Sequence, residues 1–279
     1  MPKITITKAS GELEPFDESK LRRSLKSAGA ADSMIDIVVA AVSKKLVDGI
    51  STRNIYREAF RLLRAESQRV AGRYKLKEAM LELGPTGFPF EHFVSEILFR
   101  TGYNTEVGVM VQGDCVTHEI DVIAQKDDHY YLVECKFHNK KENRCNVQVP
   151  LYIQSRFADV KNRWIQQPGH EGKKHFGLVV TNTRFTKDAL QYGECVGLKL
   201  LSWDYPEKNS LKDLIGRLNL HPVTCLSALT KKEKSQLTEK GIVLIVQLFE
   251  REKKLKEIGL DQRKINRVMK EAQAICNFN

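Results

Sequence analysis

The stretch EIDVIAQKDDHYYLVECKFH, residues 119–138, decides the fold. β-branched and aromatic residues fill both halves, so THEIDVIAQ and HYYLVECKFH read as strands joined by a tight turn at KDD. Three residues disturb that pattern: Asp121, Glu134 and Lys136. An ionised group within a strand is costly to bury unless it is paired or holds a metal. Chemistry is one explanation, and a surface hairpin with solvated charges is the other.

Outward from this hairpin the pattern is α/β. PFEHFVSEILFRTGY reads as a helix closed by Gly102, and NTEVGVMVQGD as a strand and its turn. After the hairpin come a helix, VPLYIQSRFADVKNRWIQ, and a buried strand, KKHFGLVVTNT. A second helix, TKDALQYGECVG, and a short strand, LKLLSW, complete the segment. Helices alternating with strands in this way predict a mixed sheet flanked by helices.

The spacing has a chemical logic. Two carboxylates on adjacent strands can share one divalent cation, because hard cations prefer oxygen ligands. Glu134 and Lys136 are two apart and so point to the same sheet face. An ammonium there can steer or help deprotonate a water attacking a phosphodiester, while the cation stabilises the developing charge. Asp121 and Glu134 are therefore the expected metal ligands, for Mg2+ or Mn2+.

Asp121 followed by Glu134-Cys135-Lys136 matches the D–(E/D)xK signature, and FEHFVSEILFRTGYNTEVG precedes it. Residues 90–204 thereby resemble the Mrr-like restriction endonucleases and archaeal Holliday-junction resolvases of the PD-(D/E)xK nuclease superfamily. The resemblance implies a catalytic set of Glu91, Asp121, Glu134 and Lys136, with Glu91 assisting from the first helix. The usual Pro before the aspartate is absent, and His118 and Glu119 stand there instead. His118 and His138 are expected to be structural or to touch phosphate. Gln154 and Arg156 read as an exposed helix face or as phosphate contacts, Asp114 as a turn residue, and Glu96 as a solvated one.

Residues 1–84 form the next unit. KITITK alternates as a strand, and ESKLRRSLKSAG, MIDIVVAAVSKKLVDG, STRNIYREAFRLLRAES and RVAGRYKLKEAMLEL read as four helices. Lys8, Gly11, Pro15-Phe16-Asp17, Lys20 and the RVAGRY run resemble the ATP-cone domain, which implies a regulatory site for ATP or dATP. The pattern assigns nucleotide contacts to Lys8, Glu14, Phe16, Asp17 and Lys20, and positions near the base or a second nucleotide to Thr52 and Tyr56. One basic residue of the pattern is replaced by Ala9. No GxxxxGK[ST] run occurs, so a hydrolytic P-loop is not expected.

Residues 206–279 begin with a connector and continue as helices broken at Gly241 and Gly259. LTEKGIVLIVQLF and LKEIGLDQRKINRVMKEA resemble helix-hairpin-helix modules, which present backbone N–H groups to DNA phosphates. A protein-interaction or dimerisation module is the alternative. Charge follows the same division: of the net +10, residues 1–84 carry +5, 85–204 carry −1 and 205–279 carry +6. Basic flanks around a neutral middle fit a protein that grips a polyanion with its ends.

Six scattered cysteines without CxxC spacing read as free thiols in a reducing compartment. No run approaches the roughly 18–20 apolar residues of a membrane span, and the N-terminus lacks a secretory signal. The expectation is a cytoplasmic α/β multidomain protein with no membrane partner: an N-terminal, mostly helical ATP-cone (1–84), a restriction-endonuclease-like mixed sheet (85–205) and a C-terminal helical module (206–279). Its expected activity is metal-dependent cleavage of double-stranded DNA, gated by adenine nucleotide, from a homodimer if both strands are cut. A nucleotide-sensing DNA-binding regulator with an inactive nuclease fold, and a junction resolvase, are the alternatives.

Overall fold

The computed structural model describes residues 4–8 and 10–276; Ala9 lies outside the described residues. The architecture is mixed α/β, with helices first, a central sheet, and helices last. Among the described residues no helix is long and apolar enough to cross a membrane.

In the N-terminal unit β1 (Thr5–Thr7) pairs antiparallel with β2 (Leu13–Pro15) and parallel with β3 (Ile50–Ser51). Helices α1 (Glu18–Ser27), α2 (Asp32–Ser43), α3 (Thr52–Glu66) and α4 (Gln68–Tyr74) pack beneath this small sheet. Asp17 caps α1 by accepting from the Ser19 N–H at 2.9 Å, and Ser51, not Thr52, caps α3. Ile6, Leu25, Val38, Val39, Ala59 and Leu63 form the centre of this core.

The fourth predicted helix is two. α4 ends at Tyr74 and α5 (Leu76–Leu81) begins after one intervening residue, Lys75. The break follows from burial: Val70 and Ala71 belong to the N-terminal core, whereas Leu76, Ala79 and Met80 face a different and larger one. One straight helix cannot serve both.

Helix α6 (Phe88–Arg100) leads into β4 (Asn104–Gln112), β5 (Thr117–Lys126) and β6 (His129–Lys136). After β7 (Arg144–Cys145) come α7 (Gln148–Trp164), β8 (Lys174–Thr181), β9 (Arg184–Phe185), α8 (Lys187–Val196) and β10 (Lys199–Leu201). The five-stranded sheet has the order β10-β8-β6-β5-β4. β4, β5 and β6 run antiparallel to their neighbours in sequence; β6, β8 and β10 are parallel, as helical crossovers require. α6 covers one face through Phe90, Phe93 and Ile97, and α7 covers the other through Ile153, Val160 and Trp164.

The connector is more ordered than the sequence reading allowed, since it contains α9 (Leu211–Leu218). A 3-10 turn at Val223–Cys225 precedes α10 (Lys231–Glu239), α11 (Gln247–Glu250), α12 (Lys253–Glu257) and α13 (Gln262–Cys276). Residues 242–246 are not helical; Ile242, Val243, Leu244 and Ile245 are fully buried in a turn anchored to His221. These helices pack against α5 and α6 in a single core that runs from Met80 and Phe90 through Val122 to Ile215, Leu244 and Ile275.

Candidate active site

β5 and β6 pair up to Val122 opposite Val133, so one step further Asp121 faces Glu134. The Cys135 N–H donates to Asp121 Oδ2 at 2.7 Å, which leaves Oδ1 for a ligand. Glu134 is 8% exposed and points toward α7, where Lys136 Nζ donates to Oε1 at 3.1 Å and Arg156 Nη1 to Oε2 at 2.8 Å. The three residues singled out from the sequence therefore meet.

A local break in the strands creates this arrangement. Alternation would put Ile120 and Val122 on one face. Instead Val122 joins the core under α6, while Ile120 joins the core under α7. β4 switches at the facing position: Val107 packs with the first core and Val109 with the second. Between them Gly108 takes φ +66°, a conformation that side-chain-bearing residues rarely adopt. Asp121 lies at the switch, between the two faces.

Glu91 comes from the first turn of α6. Burial first, then the negative charges of Asp121, Glu119 and Glu134, push its carboxyl up to about 7. Asp121 is pushed up to about 6 by burial and by Glu134, against the pull of the Cys135 N–H, Arg156 and Lys136. The negative charges that raise Glu91 and Asp121 suit a hard cation, whose charge would reverse both shifts. Among the described residues no three His, Cys, Asp or Glu side chains converge closely enough to ligate one ion. The carboxylates that could share an ion are Asp121 and Glu134, and a metal at Glu134 would compete with Lys136 and Arg156 for its two oxygens. A pair of carboxylates suits Mg2+, which keeps several waters and takes phosphate oxygens for the rest.

Several residues take places other than those expected. Arg156 is not turned to a phosphate: it is held inward by Glu134 and by the Glu119 carbonyl. Glu96 is half-buried beside Arg100, not freely solvated. Gln154 is half-buried, with its side-chain oxygen unpaired. His118 is structural; its Nε2 lies 2.7 Å from Asp159 Oδ2, and Asp159 also accepts from the Cys115 N–H. Asp114 sits in the bend between β4 and β5.

Sequence reasoning missed Asn182. It is fully buried and clamps the backbone after β6: its Oδ1 accepts from the His138 N–H at 2.8 Å and its Nδ2 donates to the His138 carbonyl at 2.7 Å. The only signal was a polar TNT ending an apolar strand.

In the N-terminal unit Lys8 and Lys20 both reach Glu14 Oε2, at 2.9 and 3.3 Å. Asp17 stands at the start of the helix that carries Lys20, and Phe16 is packed against the core. Thr52 follows Ser51, which pairs with Thr7, so it lies beside Lys8 in register. Tyr56 does not join them: its ring stacks between Phe60 and Tyr74, and its buried hydroxyl has no partner.

The C-terminal hairpins do not present free N–H groups as expected. At the first, the Gly241 and Ile242 N–H groups donate to Thr238 and Leu237 carbonyls, and those of Val243 and Leu244 to Gln247 Oε1. At the second, the Gly259 and Leu260 N–H groups bond within the turn, and the Asp261 carboxylate caps α13. A carboxylate at that helix start opposes a phosphate.

Three family models match the chain: an ATP cone domain over residues 4–74, a restriction endonuclease over 85–205 and an AF1548-like C-terminal domain over 221–276. An uncharacterized protein of Archaeoglobus fulgidus is 36% identical over 183 residues, which are 65% of this chain and 99% of that protein. The crystal structure of the protein of unknown function AF1548 is similar with a TM-score of 0.57 and 34% identity, covering 70% of this chain and 100% of that one.

Proposed function

The chain belongs to the family of its Archaeoglobus fulgidus relative, with an ATP cone, a restriction endonuclease domain and an AF1548-like C-terminal domain in that order, and from this premise we propose a divalent-metal-dependent DNA endonuclease regulated by ATP or dATP. The observation that carries it is the meeting of Asp121, Glu134 and Lys136 at the end of paired strands. We divide the functional units near residues 75 and 205, because Leu76, Ala79 and Met80 pack with the larger core and not the N-terminal one.

Asp121 and Glu134 would hold the metal, and Glu91 completes the acidic wall. When bound, a divalent cation neutralises charge on the phosphate and acidifies water. Lys136 is 43% exposed at its side chain, so its ammonium reaches the reaction space while one proton bonds Glu134. It steers the attacking water and meets phosphate charge. Arg156 fixes the Glu134 rotamer, and Asn182 fixes the backbone that follows Lys136. Water attacks phosphorus, the P–O bond to the leaving sugar breaks, the departing oxygen takes a proton from solvent, and the attacking water's proton passes to the Glu91 carboxylate of the acidic wall.

In the N-terminal unit Lys8 and Lys20 bind the nucleotide phosphates, with Glu14 holding the two ammonium groups in position until the ligand arrives.

The test is nicking of supercoiled plasmid with Mg2+ or Mn2+, with and without ATP or dATP. Wild type nicks, and Glu134→Ala is slower by about 10²–10³-fold or more. Equal rates for the two proteins remove the site assignment, and equal rates with and without nucleotide remove the regulation. Four-way junctions cut in preference to linear duplex would move the substrate from duplex to branched DNA.

A further inference from the structure

Where the N-terminal unit meets the connector, a cavity of about 730 Å³ opens, inside the ~300–1,000 Å³ range of small-molecule sites. One wall is the end of α1 and the α4–α5 junction; the other is Trp203, α9 and His221. Five cations line it: Arg73, Lys77, Lys208, Lys212 and Arg217. The single lining carboxylate, Asp213, is taken up by Ser210, accepting from its N–H at 3.1 Å and its hydroxyl at 2.5 Å.

The cations lack acidic partners. Arg73 donates to Asn219 Oδ1 at 3.0 Å, Lys77 to the Asn182 carbonyl at 2.8 Å, and Arg217 to Asn209 Oδ1 at 3.0 Å. None of the five is in an ion pair among the described residues. Five cations gathered with no ion-pair partner repel one another, only partly offset at Lys77 by Asp204 and Glu78, which favours any anion that enters. Burial, helped by the charge of Arg184, pushes the Lys77 ammonium down to about 8, and an anion in the cavity would restore it.

A second observation is independent of charge. His221 lines the cavity at 1% exposure, with no side-chain partner and the Asn219 backbone as a polar neighbour of its ring. Arg73 Nε is buried without a partner. Buried polar atoms are nearly always paired, so an unpaired guanidinium nitrogen in the cavity wall marks a place where a ligand can supply the acceptor. Tyr74 and Trp203 line the same cavity; Tyr74 stacks on Tyr56 with one face, and the Lys77 ammonium lies over the Trp203 ring at 4.3 Å, which leaves the opposite ring faces for a base.

We propose that this cavity is a binding site for a nucleoside di- or triphosphate, separate from the Lys8–Glu14–Lys20 cluster. The phosphates meet the cations and the base takes the Tyr74–Trp203 side. Since the walls come from different units, an occupant ties the N-terminal unit to the rest of the chain. Lys77 also bonds Asn182, whose amide clamps His138 two residues beyond Lys136. The assignment rests on the cavity and stands whether or not the chain cuts DNA.

Trp203 is one of two tryptophans, and the other, Trp164, is buried under α7. The full chain is titrated with ATP, ADP and inorganic tripolyphosphate, followed by tryptophan fluorescence and calorimetry. Saturable binding with a fluorescence change is expected, lost in Trp203→Phe while calorimetric binding persists. The exposed pair Lys212→Glu/Arg217→Glu weakens ATP by about 10-fold or more, as expected for lost charge-assisted contacts, and Lys20→Glu leaves that site intact. Binding undiminished by the pair but abolished by Lys20→Glu overturns the proposal. So does the absence of binding to wild type. ATP binding tighter than tripolyphosphate supports the nucleotide, and equal affinity overturns it in favour of an inorganic anion.

Discussion

Arg156 on α7 and Glu134 on β6 form a half-buried ion pair, Nη1 to Oε2 at 2.8 Å, whose second guanidinium nitrogen is bonded to the Glu119 carbonyl. One arginine thus ties the helix to both strands of the hairpin and sets the Glu134 carboxylate where Asp121 faces it.

This makes Arg156 a positioning residue. Arg156→Ala is expected to lower nicking by about 10–100-fold, the usual effect of losing an outer-shell partner, while DNA affinity and its salt dependence stay unchanged. A phosphate contact would give the opposite pattern, a flatter salt slope at nearly constant turnover. Nicking rates and DNA binding measured over a salt series distinguish the two.

Gly108 is tested through backbone strain alone, because a Cβ there would meet nothing within 4 Å. At φ +66° an L side chain costs about 1–2 kcal/mol. Asn tolerates this region better than Ala, and Val tolerates it worst. Denaturant unfolding should therefore rank Gly108 above Gly108→Asn, then Gly108→Ala, then Gly108→Val. Nicking should fall in the same order if the strand relaxes and carries Asp121 with it.

Gly72 is the opposite case, a close approach. An added Cβ would lie 2.6 Å from Ile275 Cδ1, and Ile275 is fully buried in α13. Gly72→Ala is expected to cost about 1–3 kcal/mol, as overpacking does. Hydrogen exchange should quicken at 68–74 and 262–276 while β5 and β6 stay protected.

His221 gives a pH signature. Burial pushes its ring from the ordinary value of 6.5 down to about 4. The folded value is the lower one, so the unfolded chain takes up the proton first. The contribution to stability is intact above pH 6.5 and is lost as pH falls toward 4, of the order of 3 kcal/mol in all. His175, also pushed down to about 4 by burial and by the charge of His170, acts in the same direction. Unfolding free energies of wild type and His221→Leu near pH 7.5 and near pH 5 isolate its share. A smaller acid loss in the variant is expected, and an identical loss assigns the effect to other groups.

The sequence by itself determined the main helices and strands of the central sheet domain, the order of three units and the acidic pair with its lysine. These are local properties: strand alternation, a turn at KDD, and a two-residue spacing that fixes a shared face. They survive because tertiary contacts at THEIDVIAQ and HYYLVECK reinforce the local preference. Tertiary structure decided the rest. Arg156 is 22 residues from Glu134 and Asn182 is 44 from His138, and no local periodicity records such pairings. The RVAGRYKLKEAMLEL helix divides because its two halves face different cores. The first C-terminal hairpin satisfies its N–H groups internally because the apolar run IVLIV, residues 242–246, is drawn into the core shared with α6. The cavity at Arg73 and His221 exists only because chain segments far apart in sequence fold against each other, and a linear pattern holds no trace of the space left between them.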